Sequence, residues 1–362
     1  MILLESQNTF GPTPASAAVF PAAPASTAET SRVPAWIAAA DAASLLHAEG
    51  EQQAALHRAA GEAARAQFGR AVFVRGVVEV SNFCRQNCTY CGMRRDNRAL
   101  ARYRLDAETM FDWIAQVRPP AMTDINIQAG EDPVAVREIV VPLVRALRER
   151  TELGVSVCLG THDQRDYDAL HEAGASYFII KLETGDADHY RAMKAPGTLA
   201  KRIDAIERLA RSGWRVSSGC IVGLPGQTDE MLLSTLDLLG RLPLAGVSVS
   251  PFIPGEQTEW SDHSSPSLDR TLNALAMLRL RNPQFVIPAV SAFNSVGENG
   301  YTRALATGAN LVTINLTPDT ARENYVIYKN DRFIMTENRV RQAVEAAGLE
   351  CSTRSLANHW KE

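Results

Sequence analysis

The chain has 362 residues, 46% of them hydrophobic, and a formal net charge of −4 at pH 7. This is room for two average domains or one large barrel, and the charge gives no hint of nucleic acid or an anionic membrane surface. No apolar run approaches the roughly 18 residues of a membrane span, and the N-terminus lacks the basic and apolar regions of a signal peptide, so a cytoplasmic protein is expected.

Residues 1–33, rich in Ala, Pro, Ser and Thr, read as a disordered segment. From 34 to 70 the apolar residues Trp36, Ile37, Leu45, Leu46, Leu56 and Ala60 recur at helical intervals and predict a short helical extension. Short apolar runs then alternate with amphipathic stretches to the end of the chain, 71–362. The expected strands are 71–80, 124–128, 155–159, 176–182, 216–219, 247–250, 286–289 and 310–314. The expected helices are 107–117, 134–152, 166–173, 199–212, 230–241, 268–280, 300–307 and 337–347. Gly154, Gly174, Gly213 and Gly308 sit where a glycine ends a helix before a strand. Eight strand–helix units predict an α/β fold closed as a (β/α)8 barrel. A doubly wound open sheet is the alternative.

Six cysteines, three of them clustered, fit a metal site better than a disulfide framework. Cys84, Cys88 and Cys91 are spaced C-x3-C-x2-C directly after the first strand. Three thiolates on one tight loop suit three irons of a [4Fe–4S] cube, with the fourth iron left open to a small molecule. A zinc knuckle would need a fourth ligand nearby, and the nearest following histidine is His162. Three unrelated buried thiols is the other reading. Barrel chemistry sits at the strand ends, and there lie Gly130-Glu131-Asp132-Pro133, Gly160-Thr161-His162, Lys181-Leu182-Glu183-Thr184, Gly223-Leu224-Pro225-Gly226, Pro251–Pro254, Ser291 with Asn294, and Asn315–Pro318. In Asp124-Ile125-Asn126-Ile127-Gln128 polar and apolar residues alternate, which predicts a polar-lined cavity in the barrel.

With Tyr90 before the last cysteine, these motifs resemble the radical S-adenosylmethionine (SAM) superfamily, in the branch of biotin synthase, PylB and HydE, from about Pro34 onward. Ser81-Asn82-Phe83-Cys84, Cys91-Gly92-Met93-Arg94-Arg95-Asp96-Asn97, Gln128–Pro133, Val222–Thr228 and Pro251–Pro254 carry the likeness, which is closest to HydE. It implies one [4Fe–4S] cluster and SAM as cofactors, reductive cleavage of SAM to a 5′-deoxyadenosyl radical, and an electron donor such as flavodoxin or ferredoxin. It also implies SAM contacts from Tyr90, Gly130, Glu131, Asp132, Glu183, Val222 and Gly223, with Arg202 gripping the SAM carboxylate. Ser248 and Ala292 stand where PylB holds its amino acid with charged groups, which disfavours an amino-acid mutase. Cys158 and Cys220 do not match the auxiliary-cluster positions of biotin synthase and read as small buried hydrophobes. For a small polar or metal-bound substrate the upper loops offer His162, Ser291, Asn294 and Tyr325 as catalytic candidates, with Thr161, Asn315, Thr317, Arg322 and Lys329 near them. Nucleic acid and membrane are not expected partners.

Overall fold

A computed structural model describes Ile37, residues 40–328 and residues 333–359. The segment expected to be disordered, and Lys329, lie outside these residues. Seven strands, β1 (Ala71–Ser81), β2 (Asp124–Ala129), β3 (Gly154–Cys158), β4 (Tyr177–Ile179), β5 (Arg215–Val222), β6 (Gly246–Pro251) and β7 (Leu311–Asn315), pair in parallel in the order β6-β5-β4-β3-β2-β1-β7. The ring closes through residues 286–289, where Val286 bridges Gly246 and Pro288 bridges Leu311. The expected strand there is reduced to two bridges, because Pro288 has no amide to offer a ladder. The (β/α)8 barrel therefore stands. A two-residue strand, β8 (Glu350–Cys351), pairs with the start of β1 and was not expected.

In β1 Val72, Val74, Val78 and Val80 alternate with Arg75, Val77 and Glu79, and the latter three reach the barrel interior. The outward face is branched and apolar because helices cover it, so ten of the eleven residues are buried. Helix ends follow local chemistry: Asp106, Asp132, Asp186, Thr198, Thr228, Ser267 and Thr336 each cap a helix by accepting a backbone amide. The helix expected over 134–152 is broken into Pro133–Ala135, a π-turn Val136–Val140, and Val141–Arg150. Pro142 cannot donate to the carbonyl one turn back, and the widened turn relieves its ring. Gly154 begins β3 instead of ending a helix. A Cβ on it would lie 2.1 Å from the Asp124 carboxylate.

The helical extension, Ala42–Leu46 and Gly50–Phe68, packs on helix Leu268–Arg281, which is therefore buried continuously from Thr271 to Leu280. Asn273 ties the layers together, donating to the Leu46 and Ala48 carbonyls and accepting from Gln53 and His57. At the lower end of the barrel Asp124 accepts the Leu356 amide at 2.9 Å, so this first polar residue of β2 anchors the C-terminal helix Leu356–His359 and does not reach the main cavity.

Candidate active site

The cysteine loop leaves the top of β1 and has little regular structure, so its backbone is held by side chains. Asn82, fully buried, donates to the Ala101 and Asn324 carbonyls and accepts the Tyr103 amide. Arg102 donates to four carbonyls: Asn82 at 2.6 Å, Arg94 at 2.7 Å, Met93 at 2.9 Å and Asn97 at 3.2 Å. Asn97 returns a bond to the Gly92 carbonyl at 2.7 Å. The end of β2 presses on the loop at Gly130, where a Cβ would lie 2.2 Å from the Phe83 carbonyl oxygen. No other residue fits there.

Glu131 is buried and spent locally. Its carboxylate accepts from Arg85 at 2.8 Å, from Gln86, and from the Thr161 amide at 2.9 Å. Its own amide lies 3.4 Å from the Cys84 sulfur. Asp132 likewise accepts Ser81 and both forks of Arg104. These two acids build the loop's seat, while the expectation of direct cofactor contact rests on the resemblance.

The three cysteines are unpaired. Burial pushes the Cys88 thiol up to about 12 and raises Cys84 and Cys91 also. Thiols this desolvated become thiolates when metal replaces the proton. The Gln86 and Glu131 amides donate to the Cys84 sulfur, the Met93 amide to Cys91 and the Tyr90 side chain to Cys88, a donor set that fits cysteines of an iron–sulfur cluster.

Cys88, Tyr90 and Cys91 also form part of the wall of a cavity of about 430 Å³ that fills the upper barrel. The cluster loop and the barrel interior are thus one space. Into it project Arg75, Glu79, Gln128, Lys181, Glu183 and Asn315, with Ser217, Ser248, Ser250 and Ser291 and the phenols of Tyr177, Tyr301 and Tyr325. Of the three alternating polar residues of β2 only Gln128 lines this cavity, so the polar lining expected from that strand is supplied mainly by other elements.

Glu183 sits just past β4 with φ of 67°, a left-handed conformation that a glutamate adopts only under constraint. Burial raises its carboxyl above the ordinary value, against the pull of Lys181 and Arg202. Among the described residues its carboxylate has no hydrogen-bond donor. Arg202, on helix Leu199–Arg211, is 4% exposed and donates from Nε to the Tyr190 hydroxyl at 3.1 Å. Burial opposes its charge, but Tyr190, Glu131 and Tyr90 hold its pKa above the usual value. Its terminal nitrogens have no partner among the described residues. Glu183 and Arg202 both act electrostatically on Cys88, so a carboxylate without a donor and a guanidinium with free terminal nitrogens lie near the cysteine loop, an arrangement suited to an amino acid zwitterion.

Ser291 and Tyr325 line the cavity as expected. His162 does not. Its ring is buried, bonded to the Leu159 carbonyl at 2.8 Å and 3.7 Å from Asp166, and burial lowers its pKa. It fixes the turn whose Thr161 amide binds Glu131. Asn294 accepts the Tyr301 amide at 2.8 Å, and Thr317 accepts the Glu79 amide at 3.0 Å. Arg322 pairs with Asp319. Val222 ends β5 in the core, and the Gly223 amide donates to Gln227. Cys158 and Cys220 border the cavity, and Cys220, 2% exposed, packs in the hydrophobic core as a small buried hydrophobe should. Arg75, Glu79 and Arg102 escaped the sequence reading as site residues, and Lys181 entered it only within a strand-end segment. The alternation in β1 could have revealed the first two.

A family model described as the radical SAM superfamily matches residues 78–239. The [FeFe] hydrogenase maturase subunit HydE of Thermotoga maritima is 31% identical over 274 residues, covering 76% of this chain and 78% of that protein. The 3-methylornithine synthase of Methanosarcina barkeri is 27% identical, covering 76% and 78%, and the biotin synthase of Saccharopolyspora erythraea 30% identical, covering 67% and 70%. The crystal structure of methylornithine synthase, PylB, shares the fold with a TM-score of 0.76 at 23% identity, covering 88% of this chain and 94% of that one. No helix among the described residues is long and apolar enough to cross a membrane. The chain belongs to the radical SAM superfamily: it is an enzyme that uses an iron–sulfur cluster and SAM on a small-molecule substrate.

Proposed function

We propose that the chain is a HydE-like enzyme with one [4Fe–4S] cluster on Cys84, Cys88 and Cys91, and that its substrate is a small polar or metal-bound molecule seated in the barrel. The observation that carries this reading is the continuity of Cys88, Tyr90 and Cys91 with a barrel cavity into which charged side chains project. When bound, the cluster and SAM supply reductive S–C bond cleavage and a carbon-centred radical. The chain's own residues do the rest. Arg202 holds the SAM carboxylate and Glu183 its amino group, while Tyr90 walls the adenosine. Arg75, Glu79 and Lys181 line the same cavity and orient a polar substrate, and the helical shell keeps water out. Ser248 contacts Lys181, so it is not the charged anchor of an amino-acid mutase. A flavodoxin or ferredoxin supplies the electron, in a cytoplasm that keeps six free cysteines reduced.

The test is to reconstitute the protein with iron and sulfide under anaerobic conditions, add SAM and a low-potential reductant, and assay 5′-deoxyadenosine and methionine. Both should form, and neither should form with Cys88→Ala. A loaded, reduced protein that leaves SAM intact would contradict the reading.

A further inference from the structure

The cysteine loop is the most basic part of a chain whose net charge is −4. Residues 84–104 contain six arginines and a single acid, Asp96. Partners outside the segment neutralise two of them: Arg85 pairs with Glu131 and Arg104 with Asp132. Asp96 is shared by Arg95. Arg94, Arg98 and Arg102 have no acid partner among the described residues. Arg95 and Arg98 are exposed.

The position of this charge is what gives it meaning. The Arg95 amide donates to the Gln86 carbonyl at 2.7 Å, and Asn87 exchanges bonds with Asp96, donating from its side chain at 2.7 Å and accepting the Asp96 amide at 3.3 Å. These bonds pin the basic segment onto Gln86–Asn87, the stretch between Cys84 and Cys88. Arg102 ties the same segment to the loop through the Arg94 and Asn97 carbonyls. The exposed Arg95 and Arg98 therefore sit on a segment whose main chain is bonded to the cluster loop at Cys91 and Gln86.

We infer that the exposed Arg95 and Arg98 form the docking face for the electron donor, a small acidic redox protein. This rests on the proposed one-electron chemistry. The donor is oxidised by one electron and the cluster reduced by one, with no bond made or broken in the protein. Attraction between opposite patches speeds encounter and orients the partner. Docking on this loop brings the donor to the protein surface next to the cysteines.

The experiment uses reduced flavodoxin as the acidic donor and the reconstituted full chain. An R95E/R98E variant reverses two charges on the loop. An R211E/R241E variant reverses two at helix C-termini on the opposite end of the barrel, both exposed. The loop variant should slow flavodoxin-driven cluster bleaching by roughly tenfold or more at low salt. It should converge on wild type at high salt and be reduced normally by dithionite. It should also weaken binding of oxidised flavodoxin, which is measured without turnover. Wild-type rates and affinity in the loop variant, or an equal loss in the opposite-end variant, would overturn the inference. Iron content reports separately on the proposed function. If no cluster forms, the binding measurement still decides the surface.

Discussion

Replacing Arg102 by alanine tests how the cluster loop is built. The guanidinium donates to four carbonyls at 2.6–3.2 Å. Hydrogen bonds to a charged group contribute about 1.5–3 kcal/mol each, so four set a ceiling of roughly 6–12 kcal/mol. Arg102 is only partly buried, and water will reach most of the freed carbonyls. Allowing for that, a net loss of about 2–3 kcal/mol is expected in closing the loop. At 1.4 kcal/mol per decade this is roughly a thirty- to hundredfold rise in the open fraction. The assay is anaerobic iron release to a chelator, followed optically. R102A should lose iron faster by about that factor while the barrel keeps its thermal transition, and R102K should fall between, since an ammonium cannot fork. Iron release at the wild-type rate in R102A would refute the idea that Arg102 holds the loop.

Cys84→Ala, Cys88→Ala or Cys91→Ala should abolish iron binding on reconstitution, whereas Cys158→Ala and Cys220→Ala should retain it; loss of a second set of irons in C158A would defeat the single-cluster reading. Arg202→Ala should weaken SAM binding by roughly 1.5–3 kcal/mol with iron content unchanged, as read by equilibrium dialysis, and unchanged affinity would return Arg202 to a structural role beside Tyr190. Burial holds His57 and His162 below the ordinary 6.5, so below that value the unfolded chain binds protons that the folded chain refuses. Stability should therefore fall as pH drops from about 6.5 toward the folded values, and His57→Gln should make the melting temperature less steep in that window. An identical pH slope in H57Q would remove His57 from this account.

The sequence was most legible where a repeat forces one solution. Branched residues on alternate positions of β1 and glycine or capping residues between units announce a parallel barrel, and C-x3-C-x2-C announces the cluster loop. It was least legible where a side chain acts at a distance. Nothing near Arg102 in sequence shows that it will gather four carbonyls, and nothing in Glu131 shows that Arg85, Gln86 and Thr161 will consume its carboxylate. His162 looked free at a strand end, but the turn after β3 folds its ring back onto Leu159. Pro288 erased a strand that its apolar neighbours predicted, because a missing amide outweighs β propensity.

The central claim is that the three cysteines hold a cube whose fourth iron is open to SAM. Its most direct test is electron paramagnetic resonance of the reduced, reconstituted protein with and without SAM, alongside iron analysis. About four irons per chain and a spectrum that changes when SAM is added are the predicted results. A four-iron protein whose spectrum ignores saturating SAM would contradict it.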